Sequence, residues 1–246
     1  MFVIAVASRI EMRCIEKRIE MTGPERTYGS MCRPGTLCGR RVLLVKTGVG
    51  LKKAGSAARQ IVKCCRADRV LSIGAAGALD PSLNRDDIVI ADTVLEGSGQ
   101  RYQCDDEVCR QAYAVLDESG FRVLHGDCFS AGRFIHATGE KKSIYAACGA
   151  LVVDMESAAL AKVFCRAGLR FFDVRIVSDT ARSVAVDAGA IAAHKKKFGP
   201  IGPYVYFLKK PGDFLRALRF GIHIRRTGKI IADVAETLAA TPGFLP

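Results

Sequence analysis

The sequence predicts a single α/β domain: a three-layer α/β/α arrangement with a mixed central sheet covered by helices on both faces. Three observations carry this. Strand-like segments alternate with helix-like segments along the chain. Several of the strand segments are apolar throughout, as strands buried on both faces are. No internal repeat or low-complexity linker divides the 246 residues, a length within reach of one α/β unit. The domain is expected to run over 1–246, with a basic C-terminal segment from about residue 195.

The elements follow in order. Phe2 to Ala7 is apolar and β-branched and predicts a first strand, and Glu11 to Glu20 predicts a helix. Gly29 to Gly39 reads as a loop or hairpin. Arg41 to Lys46 (RVLLVK) is a second strand ending in Thr47-Gly48-Val49-Gly50, and the Ala-rich stretch Lys53 to Ala67 a helix. Val70 to Ile73 is a third strand ending in Gly74-Ala75-Ala76-Gly77. Asp80-Pro81 marks a turn before a fourth strand, Asp87 to Ala91. Glu107 to Gly120 predicts a helix closed by its glycine, and Arg122 to Cys128 a strand. Ala150 to Asp154 is another strand, Ser157 to Ala167 a helix ended by Gly168, and Phe171 to Val177 a buried strand. Asp213 to His223 and Lys229 to Ala239 read as two closing helices, with Ile230, Val234 and Leu238 on one apolar face of the second.

Composition narrows the function classes. Hydrophobic residues make up 49% of the chain, enough for a sizeable core. The formal net charge is +12, which favours anionic partners. Much of that charge lies in His194-Lys195-Lys196-Lys197, Lys209-Lys210, Arg216, Arg219, Arg225, Arg226 and Lys229. No aromatic-plus-basic strand motif or zinc-finger spacing accompanies it, so a nucleic-acid partner is not expected. The ten cysteines include the adjacent Cys64-Cys65 and several in apolar runs. They read as free thiols of a cytoplasmic protein; the start of the chain lacks signal-peptide character, and no Cys-x-x-Cys pair points to zinc. No apolar stretch reaches the about 18 residues of a membrane span.

Chemistry is expected where strands end in small or acidic residues. Glycines after the second and third strands let backbone N–H groups approach an anion or a sugar, though a tight turn would use the same residues. In Val152-Val153-Asp154-Met155-Glu156-Ser157, an apolar strand runs into a helix start through two acids. Glu156 there can accept hydrogen bonds from vicinal ribose hydroxyls, or simply favour the helix dipole. Asp179 ends the next strand, after Ser178. A carboxyl in an apolar site can stay protonated and act as the acid that purine loss requires, or the residue can cap a loop.

Three stretches, Ser72–Ala91 (SIGAAGALDPSLNRDDIVIA), Val153–Ala161 (VDMESAALA) and Val174–Asp179 (VRIVSD), carry a resemblance. In order and spacing the chain resembles the purine nucleoside phosphorylase, uridine phosphorylase and methylthioadenosine/adenosylhomocysteine nucleosidase superfamily over most of residues 1–182. The resemblance implies a nucleoside phosphorylase-like fold and cleavage of the N-glycosidic bond of a purine nucleoside. It implies that Met155 packs on the ribose, that Glu156 holds the ribose hydroxyls, and that Asp179, steadied by Ser178, protonates the base. It implies that Phe129 stacks on the purine while the Ser130 backbone reads the base edge. Glu11 would activate water, and Gly77 and its neighbour Ala76 would border the water or phosphate site. No cofactor or metal is implied; inorganic phosphate is admitted as a co-substrate. The chain departs from the family in two places. Ser72 stands where hexameric phosphorylases have a phosphate-binding Arg, with Arg9 or Arg13 as substitutes, and Ala75 stands where relatives often have Ser. Hydrolysis and phosphorolysis both remain open at this point.

The tail from Arg182 to Pro246 does not resemble the small nucleosidases. Phe207 to Leu215 (FLKKPGDFL), with Glu11 followed by Arg13, is similar to the hopanoid-associated phosphorylases, which are linked to release of adenine from adenosylhopane. That resemblance implies a lipid-linked adenosyl nucleoside and peripheral membrane contact through the basic segment. A helix from Asp213 would align Phe214, Leu218 and Ile222 as an apolar stripe flanked by cations, which equally fits packing on the core. A methylthioadenosine/adenosylhomocysteine nucleosidase and a non-catalytic nucleoside-binding protein are the alternatives. A homo-oligomer is the default expectation for the superfamily.

Overall fold

The computed structural model describes residues 1–24, 26–27, 31–183, 197 and 211–244. Among these, eleven strands and six helices alternate along the chain as expected. The strands are β1 (Phe2–Val6), β2 (Glu20–Met21), β3 (Arg26–Thr27), β4 (Met31–Leu37), β5 (Arg40–Lys46), β6 (Arg69–Ala78), β7 (Ile88–Glu96), β8 (Arg101–Gln103), β9 (Val123–Ser130), β10 (Val152–Asp154) and β11 (Arg170–Asp179). The helices are α1 (Arg9–Glu16), α2 (Leu51–Cys64), α3 (Asp106–Glu118), α4 (Thr138–Cys148), α5 (Ser157–Arg166) and α6 (Pro211–Ala240).

The strands form one mixed sheet in the order β10-β9-β7-β11-β6-β1-β5-β4-β2. β5, β1, β6 and β11 run parallel to one another, while β4 is antiparallel to β5 and β7 to β11. β10 pairs with β9 and also with the end of β6. That second pairing closes β10, β9, β7, β11 and β6 into a ring, so one half of the sheet is a small barrel.

Helices cover both faces, and two adjacent phenylalanines show it. Successive residues of a strand point to opposite faces. Phe171 stacks on Phe164 of α5 with ring centroids 5.9 Å apart, whereas Phe172 meets Phe2 and, edge-on, Phe244 just beyond α6. All four strand and α5 rings are buried. On one side α2 packs on α5; on the other α1 and α3 pack on α6. Each of these rings is anchored well enough that truncation to Ala would cost about 3–5 kcal/mol.

Three expectations are corrected here. β6 does not stop at Ile73: Gly74 to Gly77 remain in the strand, in register with Arg175 to Asp179 of β11. The small residues serve the tight curvature of the barrel instead of a turn. The two expected closing helices are one, α6, which is not broken at Gly228. A Cβ there would lie 2.7 Å from Cys14 Sγ, so this glycine lets α1 approach α6. The buried face of α6 is Ile231, Val234, Ala235 and Leu238, with Ile230 only half-buried beside it. α6 is also pinned by Arg18–Asp233 at 2.6 Å and Arg226–Asp86 at 2.7 Å. Third, α4 had no sequence counterpart.

The expected membrane stripe Phe214, Leu218 and Ile222, and the cations Lys209, Lys210, Arg216 and Arg219, lie outside the residues whose side chains are described. Among the described residues no helix is long and apolar enough to cross a membrane. All ten cysteines are free.

Candidate active site

The ends of β6, β10 and β11 and the start of α1 meet around one cavity of about 220 Å³. Glu11, Glu156 and Asp179 all line it, although they come from three distant stretches of sequence. A larger open groove of about 880 Å³ lies near Met1, Arg40, Arg41 and Arg66 and carries none of the three carboxylates.

Glu11 is held by the way α1 begins. Ser8 is the N-cap; its Oγ accepts from the Glu11 N–H at 3.2 Å, and Glu11 Oε2 accepts from the Ser8 N–H at 2.7 Å. This reciprocal capping box satisfies two orphan helix donors and fixes the side chain. The other oxygen, Oε1, accepts from the Ala75 N–H of β6 at 3.1 Å. The carboxylate therefore bridges α1 and the glycine-rich strand. A Cβ at Gly74 would sit 2.7 Å from Arg175 Nη1 and 3.0 Å from Glu11 Oε1, so only glycine lets these two groups approach the strand.

The β10–α5 elbow presents Met155 and Glu156. Asp154 shapes it: its Oδ2 accepts from the Glu156 N–H at 3.2 Å, the Ser157 N–H at 2.9 Å and Ser157 Oγ at 2.6 Å. Ser130 Oγ donates to the other Asp154 oxygen and accepts from the Ala158 N–H at 2.9 Å. Beneath the elbow lies Arg175, fully buried, with Nη2 2.7 Å from Asp173 Oδ1 and 3.1 Å from Asp154 Oδ2. The same nitrogen donates to Ser72 Oγ at 2.6 Å. A guanidinium thus reaches the Ser72 position from β11, but it is locked by two aspartates.

Glu156 is the N-cap residue of α5, but its side chain makes no capping hydrogen bond. Its Oε1 accepts instead from the Gly50 N–H, 2.8 Å away across the sheet edge. Gly50 has φ +97°, a left-handed conformation that turns its amide toward the cavity and that a side chain would resist. Burial, reinforced by the charge of Asp154, pushes the Glu156 carboxyl up to about 7. The Gly50 amide and Arg175 oppose this, and Glu11 adds to it.

Asp179 ends β11 beside Gly77, whose Cβ would lie 3.3 Å from its Oδ2. Ser178 Oγ lies 2.9 Å from Asp179 Oδ1 and 3.1 Å from the Ala76 carbonyl. Its surroundings differ from the apolar site the sequence predicts. Asp179 Oδ2 is ion-paired with Lys141 Nζ of α4, a side chain with 0% exposure. Nor does the carboxylate cap the following loop; its partners are Ser178 and Lys141.

Met155, Ala76, Gly77 and Ser178 line the cavity with the three carboxylates. Phe129 and Ser130 are not among its lining residues. Cys128 and Ser130 point toward Ser157 and Asp154, so Phe129, between them, points to the other face. There it stands beside its partner Val153 and packs against the apolar cluster of Leu95, Ile135 and Val153, of which Ile135 and Val153 line the cavity. The Ser130 backbone is in register with Glu96 on one side and Asp154 on the other, inside the sheet. Phe134 lines the cavity as well. Arg9 and Arg13 are exposed and do not line it. Arg175 and Lys141 were missed by sequence reasoning. Arg175 could have been found, since an arginine inside an otherwise apolar strand must have buried partners.

The fold has solved counterparts. It superposes on futalosine hydrolase of Helicobacter pylori with a TM-score of 0.76 at 16% identity, covering 96% of each chain. It matches a Campylobacter jejuni methylthioadenosine/adenosylhomocysteine nucleosidase with a TM-score of 0.77 at 18% identity, over 97% of this chain and 98% of that one. The adenosylhomocysteine nucleosidase of Streptococcus pyogenes, in complex with 5-methylthiotubericidin, gives 0.78 at 21% identity, over 97% and 95%. At these identities the likeness is one of fold. Residues 3–199 match the family model described as the phosphorylase superfamily, a span that takes in β2 to β11, all of β1 but Phe2, and every cavity residue but Ile224, and the chain therefore belongs to that superfamily.

Proposed function

We propose that the chain hydrolyses the N-glycosidic bond of a purine nucleoside, with water as the nucleophile. The observation that carries the choice of water is the Glu11 carboxylate on the Ala75 N–H. An anion seeking that amide would have to displace a carboxylate and would face Glu156 nearby. Phosphate is disfavoured by both, whereas water is a natural partner for a fixed carboxylate base. In this reading Glu11 takes the proton of the attacking water. Glu156 accepts hydrogen bonds from the ribose hydroxyls, with Met155 against the sugar. Asp179, aligned by Ser178, delivers a proton to the departing base, which would otherwise leave as a poor anion. Gly77 and Ala76 border the reacting centre, and Phe129 packs on the base together with Phe134 and Ile135.

For the 5′ substituent we favour a large apolar group. Ile10 and Val49 line the cavity while 49% and 51% exposed, which makes its open edge apolar. Ile224 of α6 adds to this wall. With the resemblance of the tail, this favours adenosylhopane, approached from a membrane surface through the basic C-terminal segment. The second reading is a methylthioadenosine/adenosylhomocysteine nucleosidase, the activity named for the Campylobacter jejuni structural neighbour. The test is incubation with adenosine, methylthioadenosine and adenosylhopane, each with and without phosphate, following free adenine. Preferential release from adenosylhopane supports the first reading, preferential release from methylthioadenosine the second. No release from any of them, with measurable binding, would make the chain a nucleoside-binding protein.

A further inference from the structure

Lys141 is the residue that the reading above leaves without a role. It has 0% exposure, and it sits on α4 in the run Glu140-Lys141-Lys142. Its Nζ is ion-paired with Asp179 Oδ2 and donates to the Thr180 carbonyl at 2.9 Å. Asp179 lines the cavity and Lys141 does not, so the ammonium stands behind the carboxylate. α4 does not need a charge there in order to dock. Ile144, Tyr145 and Cys148 already pack it against Leu79, Leu95, Ala150 and Val153. Removing an ammonium from water is costly, and a buried ion pair seldom stabilises a fold more than apolar side chains of the same volume. The pair therefore calls for a chemical account.

We propose that the acid for the leaving base is the Lys141–Asp179 pair, with Lys141 as the positioning residue that stores the transferable proton behind Asp179. This rests on the hydrolytic reading above. The pair holds one mobile proton, written either as ammonium with carboxylate or as amine with carboxylic acid. When the C1′–N9 bond breaks, its electron pair stays on the base. The base N7 takes the proton from Asp179, and Lys141 is left as the neutral amine beside the Asp179 carboxylate. Water adds hydroxide to C1′ and gives its other proton to Glu11. Exchange with solvent then returns one proton to the pair and removes one from Glu11, so the net reaction is nucleoside plus water to ribose plus base.

The experiment compares two substrates in wild type, Lys141→Met and Lys141→Arg. Adenosine needs its base protonated; 4-nitrophenyl β-D-riboside has a leaving group that does not. A general acid contributes about 10²–10⁴. Both variants should lower kcat on adenosine by about 10²-fold with KM little changed, and should shift the adenosine-to-nitrophenyl rate ratio by at least about 10-fold. Arginine keeps the charge but does not release its proton, so it separates proton storage from ion pairing. Equal losses on the two substrates in a folded variant, or full adenosine activity in either variant, would overturn the proposal. Should Lys141→Arg not fold in the tight site, Lys141→Met alone decides through the ratio. If wild type cleaves the nitrophenyl riboside but releases no base from any purine nucleoside, the hydrolytic purine reading fails, and this inference with it. If it releases base and the ratio does not move, only this inference fails.

Discussion

Replacing Glu156 by Gln should change how stability depends on pH, and the sign follows from burial. The side chain is only 6% exposed. Its carboxyl is pushed from the ordinary 4.5 up to about 7. Between those values the folded chain holds a proton that the unfolded chain has lost. This group's stabilising contribution is therefore fully present below 4.5 and is lost as pH rises through about 7. The span corresponds to roughly 3 kcal/mol at about 1.4 kcal/mol per tenfold change in proton affinity. Glutamine keeps the shape and an oxygen for the Gly50 amide but does not titrate. Urea unfolding of both proteins between about pH 4 and pH 8.5 isolates the effect, since other carboxyls cancel in the difference. The variant should gain on wild type by roughly 3 kcal/mol across that range. A difference that is flat with pH would refute the burial argument. The same carboxyl must be ionised to accept two hydroxyl hydrogen bonds, so nucleoside affinity should rise with pH through about 7 in wild type and not in the variant.

Asp179→Asn should lower turnover of a purine nucleoside by about 10²-fold or more in a folded protein; near-normal turnover would remove Asp179 from the acid role. Glu11→Gln should abolish hydrolysis without rescue by added phosphate, and a phosphate-dependent recovery of base release would show that the cavity accepts an anion after all. Changing Lys209, Lys210, Arg216 and Arg219 to Gln should weaken salt-sensitive co-sedimentation with anionic vesicles, where each basic residue contributes about 1 kcal/mol. Wild type that stays in the supernatant at low salt would end the membrane proposal and shift the substrate toward a small soluble nucleoside.

Much of this fold was legible because its strands are apolar runs bounded by turns. β1, β5 and β11 match their expected segments within a few residues, and the three acids at strand or helix ends do meet in one cavity. What was hidden depends on tertiary structure. Gly74 to Gly77 look like a turn, and only pairing with both β11 and β10 makes them strand. α4 begins with Thr-Gly-Glu-Lys-Lys, a polar run without apolar period, so nothing local announces that Lys141 is buried. Phe129 follows only from the resemblance: strand parity puts it on the face of its partner Val153, which lines the cavity, while Cys128 and Ser130 are committed to the elbow. Glu156 does stand at the start of α5, and what the sequence could not show is that its side chain bonds Gly50, 106 residues distant, instead of the helix's own amides.

We propose that water, not phosphate, receives the ribosyl group in this cavity. It is tested most directly by NMR of the sugar product formed from an adenosyl nucleoside in phosphate buffer. Hydrolysis yields free ribose or its 5′-substituted form, at a rate independent of phosphate concentration. A ribose 1-phosphate product, formed in proportion to phosphate, would contradict it.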